Sequence, residues 1–294
     1  MIDFIQFSVS GLLIGGLYAL VAASVVLVFK STQMVSIAHG QFLAFGALFF
    51  WIFIELGCPI WLSLALTFVL VGMMGFIVQH FTIRPLIGRH LFTAFIMTFA
   101  IFMFLDGIFQ LFLGGQSRTL PALIANDVLR LGGVAVSKTL VVSFLASLAA
   151  FLAIATLFAK RTIFGLGMRA VAEDHRLAQS TGISVKNVFV FIWIVSALVA
   201  AMAGIAIVNV MDIQYPLPYI GVKGLIVAMF GGMESIGGAL LAGLILGVLE
   251  NISAGYLDPI LGGGVREVAA YVVLLVILMV KPYGLFGLPR IERV

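Results

Sequence analysis

Apolar residues gather into runs at about 7–29, 37–56, 60–81, 91–113, 139–159, 187–208, 237–257 and 266–280, parted by short polar or Gly- and Pro-containing links. A hydrocarbon core of about 30 Å needs about 20 residues of α-helix to cross it, and these runs are read as spans on that basis. A ninth run, 219–230, is too short to cross comfortably and fits either a tilted short span or a re-entrant half-helix buried in protein. The pattern predicts an all-α, polytopic membrane protein with eight full transmembrane helices plus one short or re-entrant segment. The whole chain, 1–294, is expected to form a single transmembrane domain. Two links are long enough to be more than turns. The first, about 114–138, mixes Gly, Pro and polar residues with Leu120, Leu123 and Ile124 and reads as a cap over one mouth of the bundle. The second is about 160–187.

Composition excludes the soluble alternative. The chain is 63% hydrophobic and 10% charged, with a mean hydropathy of +1.25, against about 45–50% and about 25% in soluble domains. Its 26 Phe and 32 Gly suit helices that face lipid on one side and pack closely on the other. The single cysteine, Cys58, excludes an intramolecular disulfide and a cysteine-based metal cluster. The first apolar run lacks a basic n-region and is too long for the core of a cleaved leader, so it is expected to remain as a span.

The net charge of +4 points to no nucleic acid, because the cations sit in links where they set orientation. Lys30, Arg84, Arg89, Lys160, Arg161, Arg169, Arg176, Lys186, Lys281, Arg290 and Arg293 fall on one side, eleven in all. Arg118, Arg130, Lys138, and at the edges Lys223 and Arg266, fall on the other. The positive-inside rule makes the richer side cytoplasmic, with the N-terminus outside and the C-terminus in the cytoplasm. That parity requires an odd number of crossings, so the short run at 219–230 must cross.

Within the second link, Met168 to Ser180 contains good helix formers and no Pro or Gly. At 100° per residue Met168, Val171, Ala172, Ala178 and Gln179 share one face, while Arg169, Glu173, Arg176 and Ser180 form a polar stripe. Glu173 lies four residues after Arg169 and three before Arg176, spacings that allow pairing, and Gly182 is a plausible C-terminal stop. The stretch is either a solvated connection or a short amphipathic helix on which a partner pushes.

The segment Phe164-Gly165-Leu166-Gly167-Met168-Arg169-Ala170-Val171-Ala172-Glu173-Asp174, followed by Ala178 and Gly182-Ile183, resembles the coupling loop of branched-chain amino acid ABC-importer permeases. Ser36-Ile37-Ala38-His39-Gly40 is similar to that family's Asn-Phe-Ala-His-Gly motif, and Gly231 to Ala239 to its glycine-rich turn. The ending Lys281-Pro282-Tyr283-Gly284-Leu285-Phe286-Gly287 agrees as well, so the resemblance covers nearly the whole chain. Departures occur at Ser36 (usually Asn), Gln41 (usually Glu), Glu234 (usually Gly), Gly237 (often Pro) and Leu166 (often Arg).

The resemblance implies a permease subunit of an ATP-driven importer in a bacterial or archaeal inner (plasma) membrane. Its partners would be membrane lipid, a second homologous permease, two cytoplasmic ATPase subunits and an external, periplasmic solute-binding protein. Met168, Arg169, Ala170, Val171, Ala172, Glu173, Asp174, Ala178 and Gly182 would couple to the ATPases. The chain itself would be no enzyme and hold no cofactor, ATP and Mg being bound by the partner ATPases. The substrate would be a branched-chain or other small hydrophobic amino acid, although the same scaffold could carry urea, amides or small aromatic acids.

Candidate pathway residues are polar groups within or opening apolar runs. His39-Gly40 starts the second run with Gln41 behind it, and there either free backbone N–H groups face a pathway or the imidazole bridges helix ends. Glu234-Ser235 opens another run. Asp106 and Glu250-Asn251 lie inside spans, where a carboxylate is costly enough to be a functional suspect, in a pathway or bridging helices. Two other classes compete. A stand-alone secondary transporter or channel needs facing carboxylates near mid-depth, for which Asp106 and Glu250 are the candidates. An intramembrane hydrolase lacks a nucleophile motif around His39. The stretch Gly132 to Thr139 differs from a P-loop by Ser137 in place of the second Gly and runs straight into a span, so it holds no nucleotide.

Overall fold

Glycines four residues apart on one helix face allow another backbone to close in, because no Cβ keeps it away. Gly11 and Gly15 do this on α1 (Ile2–Thr32), which lies antiparallel to α10 (Ile236–Leu261). A Cβ added at Gly11 would sit 2.7 Å from Val248 Cα, and one at Gly15 2.8 Å from Leu244 Cα. This seam is the axis of a computed structural model that describes residues 2–123, 127–131, 133–158, 162–173 and 175–287.

Around α1 and α10 stand α2 (His39–Glu55), α8 (Val185–Val208) and α9 (Ile220–Gly231). Outside them are α3 (Ile60–Ile77), α4 (Leu91–Leu113), α5 (Lys138–Leu157) and α11 (Val265–Val280). Most apolar positions of α1 are buried, 83% of its most apolar stretch, against 22% for the span that begins with α3. Large apolar side chains such as Phe104, Leu111 and Met279 are exposed on the outer helices, as a lipid-facing surface requires. At one end of the bundle the chain folds into α6 (Ile163–Glu173) and α7 (His175–Ser180). At the other, β1 (Val128–Leu131) and β2 (Val134–Ser137) pair antiparallel as a hairpin. Gln6 at the start of α1 fastens this hairpin, donating to Ala135 O at 2.6 Å and accepting its N–H at 2.8 Å.

Three expectations change. Among the described residues six helices are long and apolar enough to span a membrane, two fewer than expected. The runs at 37–56 and 266–280 form helices of 17 and 16 residues, α2 and α11. The fold is mostly helical but not all-α: the link at 114–138 contains the hairpin, whose β-branched Val128, Val134 and Val136 flank a tight reversal at Gly133 (φ +91°). The helix expected over 168–180 starts earlier, at Ile163, and is described over Ile163–Glu173 and His175–Ser180, Asp174 lying outside the described residues.

Local chemistry explains the irregular joints. The third span ends as a π-turn over Val78–Ile83 and a 3₁₀ turn over Arg84–Leu86. Pro85 has no N–H, and its ring clashes with the carbonyl four residues back, so α-geometry stops there. Gln33 takes a left-handed φ of 57° and ends α1, after which residues 33–38 turn back into the bundle. Consequently α2 begins at about mid-depth, beside Ser196 in the middle of α8. Its Gly40 lies against Pro218 and Gly221, where a 3₁₀ turn (Leu217–Tyr219) leads into α9. Two short helices therefore start back to back inside the bundle. α2 runs toward the hairpin end, and α9 runs toward the α6–α7 end, where Gly231 packs against Gly238 of α10. The run at 219–230, with the irregular backbone before it, carries the chain across the bundle.

Candidate functional site

Three polar constellations interrupt the apolar interior. The first surrounds the start of α2. His39 is fully buried, with Nδ1 3.1 Å from Ser36 Oγ and Nε2 3.1 Å from Ser196 Oγ. The Ser196 hydroxyl donates to Trp193 O at 3.0 Å. Ser196 Oγ therefore accepts from His39, which fits an Nε2–H tautomer, and the imidazole joins α2 to α8. The first N–H groups of α2 are occupied: Gly40 donates to Ile37 O at 3.2 Å and Gln41 to Ala38 O at 3.0 Å.

One turn on, Gln41 Nε2 donates to Asp106 Oδ1 at 3.1 Å, and Gln110 Nε2 donates to Oδ2 at 2.6 Å. Asp106 and Gln41 are buried, while Gln110 is exposed on a cleft of about 530 Å³ at the hairpin end that also meets Tyr215. Tyr219 packs edge-on against Phe102 with centroids 5.6 Å apart, and against Tyr215 at 6.1 Å.

The second constellation joins α9 to α10 and α11. Glu250 is fully buried, and Lys223 Nζ lies 3.3 Å from its Oε1 and 3.8 Å from Glu267 Oε1. The same ammonium stands 5.7 Å from the centroid of the Tyr18 ring. Next to it, Arg266 Nη2 donates to Asn251 Oδ1 at 3.1 Å, and Asn251 Nδ2 donates to Gly247 O at 3.0 Å. Tyr18, Lys223, Arg266 and Glu267 border a cleft of about 410 Å³.

The third constellation lies at the α6–α7 end. Arg169, Ala172 and Glu173 of α6 border one cleft of about 740 Å³ together with Glu234 and Ser235. Ser235 caps α10, its Oγ accepting the Gly238 N–H at 3.0 Å. Met168, Val171 and Ala178 are buried; Ala170 and Ala172 are half-buried; Glu173 and Gln179 are exposed. Val171 and Ala178 pack with Val185 and Phe189, which holds both short helices to α8. Gly182 (φ +85°) ends α7 with paired bonds, its own N–H to Gln179 O and the Ile183 N–H to Ala178 O, each at 3.0 Å, a Schellman cap.

The structure thus unites Gln41 with Asp106, Glu250 with Lys223 and Asn251 with Arg266, and Glu234 and Ser235 with α6. It does not unite Asp106 with Glu250, which sit in separate constellations. Reading the sequence overlooked Tyr18, Gln110 and Ser196, and it treated Lys223 and Arg266 as loop charges. Gln110 could have been found, since it follows Asp106 by four residues on a helix. Lys223 was findable as the lone cation inside a short apolar run. Among the described residues no group of three or more His, Cys, Asp or Glu is placed to hold a metal ion.

The family model described as branched-chain amino acid transport system / permease component matches residues 7–281. The chain is similar to the high-affinity branched-chain amino acid transport system permease protein BraD of Pseudomonas aeruginosa, at 27% identity over 99% of this chain and 98% of that protein. It is similar to LivH of Escherichia coli K12, a high-affinity permease protein of the same kind of system, at 28% identity over 99% and 98%. A probable LivH of Methanocaldococcus jannaschii is 27% identical over 92% of this chain and 89% of that one. Among solved structures, PsaBC from Streptococcus pneumoniae in complex with Fab shares the fold, with a TM-score of 0.52 at 12% identity over 97% of each chain. With the multi-span bundle already in view, the chain belongs to the permease component family of branched-chain amino acid transport systems.

Proposed function

We propose that this chain is the membrane-spanning subunit of an ATP-driven importer of branched-chain or other small hydrophobic amino acids. It would pair with a second homologous permease, two cytoplasmic ATPase subunits that bind the ATP and Mg, and an external solute-binding protein. The observation that carries the reading is the shared cleft in which Arg169 and Glu173 of α6 face Glu234 and Ser235 at the start of α10. A short helix fixed by its apolar side and exposed at Glu173 is a surface on which a separate subunit can push. Force applied there reaches α10, and through the glycine seam α1, so these two helices tilt as a unit. ATP-dependent closure would then favour one of two bundle arrangements by its differential contact with them. In this reading the α6–α7 end is cytoplasmic and the hairpin end faces outward, in accord with the cation count. The role of the relatives in branched-chain amino acid transport supports the substrate class.

The test is reconstitution of the chain with its partner subunits in liposomes. ATP-dependent leucine uptake is expected, and leucine transport by this chain alone without ATP would refute the reading. Replacing Glu173 with Arg is expected to lower transport-coupled ATP hydrolysis at least about tenfold, as for losing a charged contact. The amount of protein inserted should be unchanged.

A further inference from the structure

The Gln41–Asp106–Gln110 constellation has an unused capacity. A carboxylate offers about four lone-pair positions, and here Asp106 accepts one N–H of Gln41 and one of Gln110. The Gln41 amide must turn its NH₂ to the carboxylate, because the reverse orientation would set oxygen against oxygen. Its Oε1 is thereby left buried without a hydrogen-bond partner. An unsatisfied buried acceptor costs about 1–3 kcal/mol, and next to an anion it can be satisfied only by a donor.

The acceptors that remain are a carboxylate with two spare positions and one amide oxygen, all from side chains fixed on α2 and α4. A primary ammonium carries three N–H donors and no acceptor, which matches that set. Access is provided on one side. Gln110 is exposed on the cleft of about 530 Å³ at the hairpin end, a volume in the range of small-molecule sites, and its amide can swing away. Tyr215 lines the same cleft, with the Tyr219 ring 6.1 Å from it, and aromatic faces favour a cation.

We infer that Asp106 and Gln41 form the receptor for a primary ammonium group, the α-ammonium of the transported amino acid, entering past Gln110 from the hairpin end. Naming an amino acid rests on the importer reading; recognition of an amine does not.

The test measures equilibrium binding to the full chain in nanodiscs with three probes: leucine, isoamylamine, which lacks the carboxylate, and 4-methylpentanoate, which lacks the amine. Leucine and isoamylamine are expected to bind, and Asp106→Asn to weaken both about tenfold or more. The weak binding of 4-methylpentanoate should be the same in both proteins. Equal binding of the amine probes to wild type and Asp106→Asn would overturn the inference, as would failure of isoamylamine to bind the wild type. If Asp106→Asn does not fold, Gln41→Met, close in shape and leaving the carboxylate in place, should show the same selective loss of amine binding; its absence there overturns the site. Uptake separates the two proposals. Isoamylamine binding that depends on Asp106 in a complex without ATP-driven leucine uptake refutes the importer and leaves the site. Normal uptake and binding in the variants refutes the site and leaves the importer.

Discussion

Asp106 and Glu250 are both carboxylates in apolar helices, and the protein compensates them in opposite ways. Glu250 is met by a full positive charge, the Lys223 ammonium at 3.3 Å, itself only 14% exposed. Asp106 is met by two neutral amides at 3.1 and 2.6 Å. A paired ion in low dielectric is settled: its strength lies in the partner, and removing either leaves an uncompensated buried charge. A carboxylate held by amides keeps spare acceptor positions, so it can receive something else. The first arrangement suits a joint between α9, α10 and α11, and the second suits a receptor.

The sharpest way to break this contrast is Lys223→Met, which leaves Glu250 buried without its cation. Loss of about 3–5 kcal/mol is expected, read as a large drop in the thermal unfolding midpoint in detergent. The double variant with Glu250→Gln should recover much of it, because no charge then remains uncompensated. A smaller effect is expected for Gln110→Leu, about 1 kcal/mol, since that amide is exposed and water can replace its bond to Asp106. A loss as large as that of Lys223→Met would show that Asp106 depends on a single partner, against the comparison. The smallest change is expected for Glu267→Gln. Its side chain is 62% exposed and 3.8 Å from Lys223, so less than about 1 kcal/mol should be lost.

Much of this was legible in the sequence, and the rest failed for identifiable reasons. Span-length periodicity located every long helix, because lipid and core impose the same apolar requirement on each turn. It could not tell a helix that starts at mid-depth from one that crosses: the residues before His39 are apolar whether they are helical or, as found, an irregular return through the bundle. The hairpin at Val128–Ser137 is settled by cross-strand pairing, which a polar link does not advertise. Asp106 and Glu250 stood out as charges where charge is costly. Their partners did not, since Gln110 and Ser196 are ordinary residues until a neighbouring helix is placed beside them.

The back-to-back start of α2 and α9 has a consequence for how the protein enters its membrane. At 1.5 Å per residue, 17 and 12 residues reach about 25 and about 18 Å, short of a core about 30 Å thick. Neither is a full-length client for insertion, and the irregular backbone flanking each is tolerated in lipid only when other helices cover it. Both must therefore settle after their long neighbours are in place: α2 against α8, which is synthesised more than a hundred residues later, and α9 between α1 and α10. The interior of this protein is completed last, from segments that could not stand in a bilayer alone.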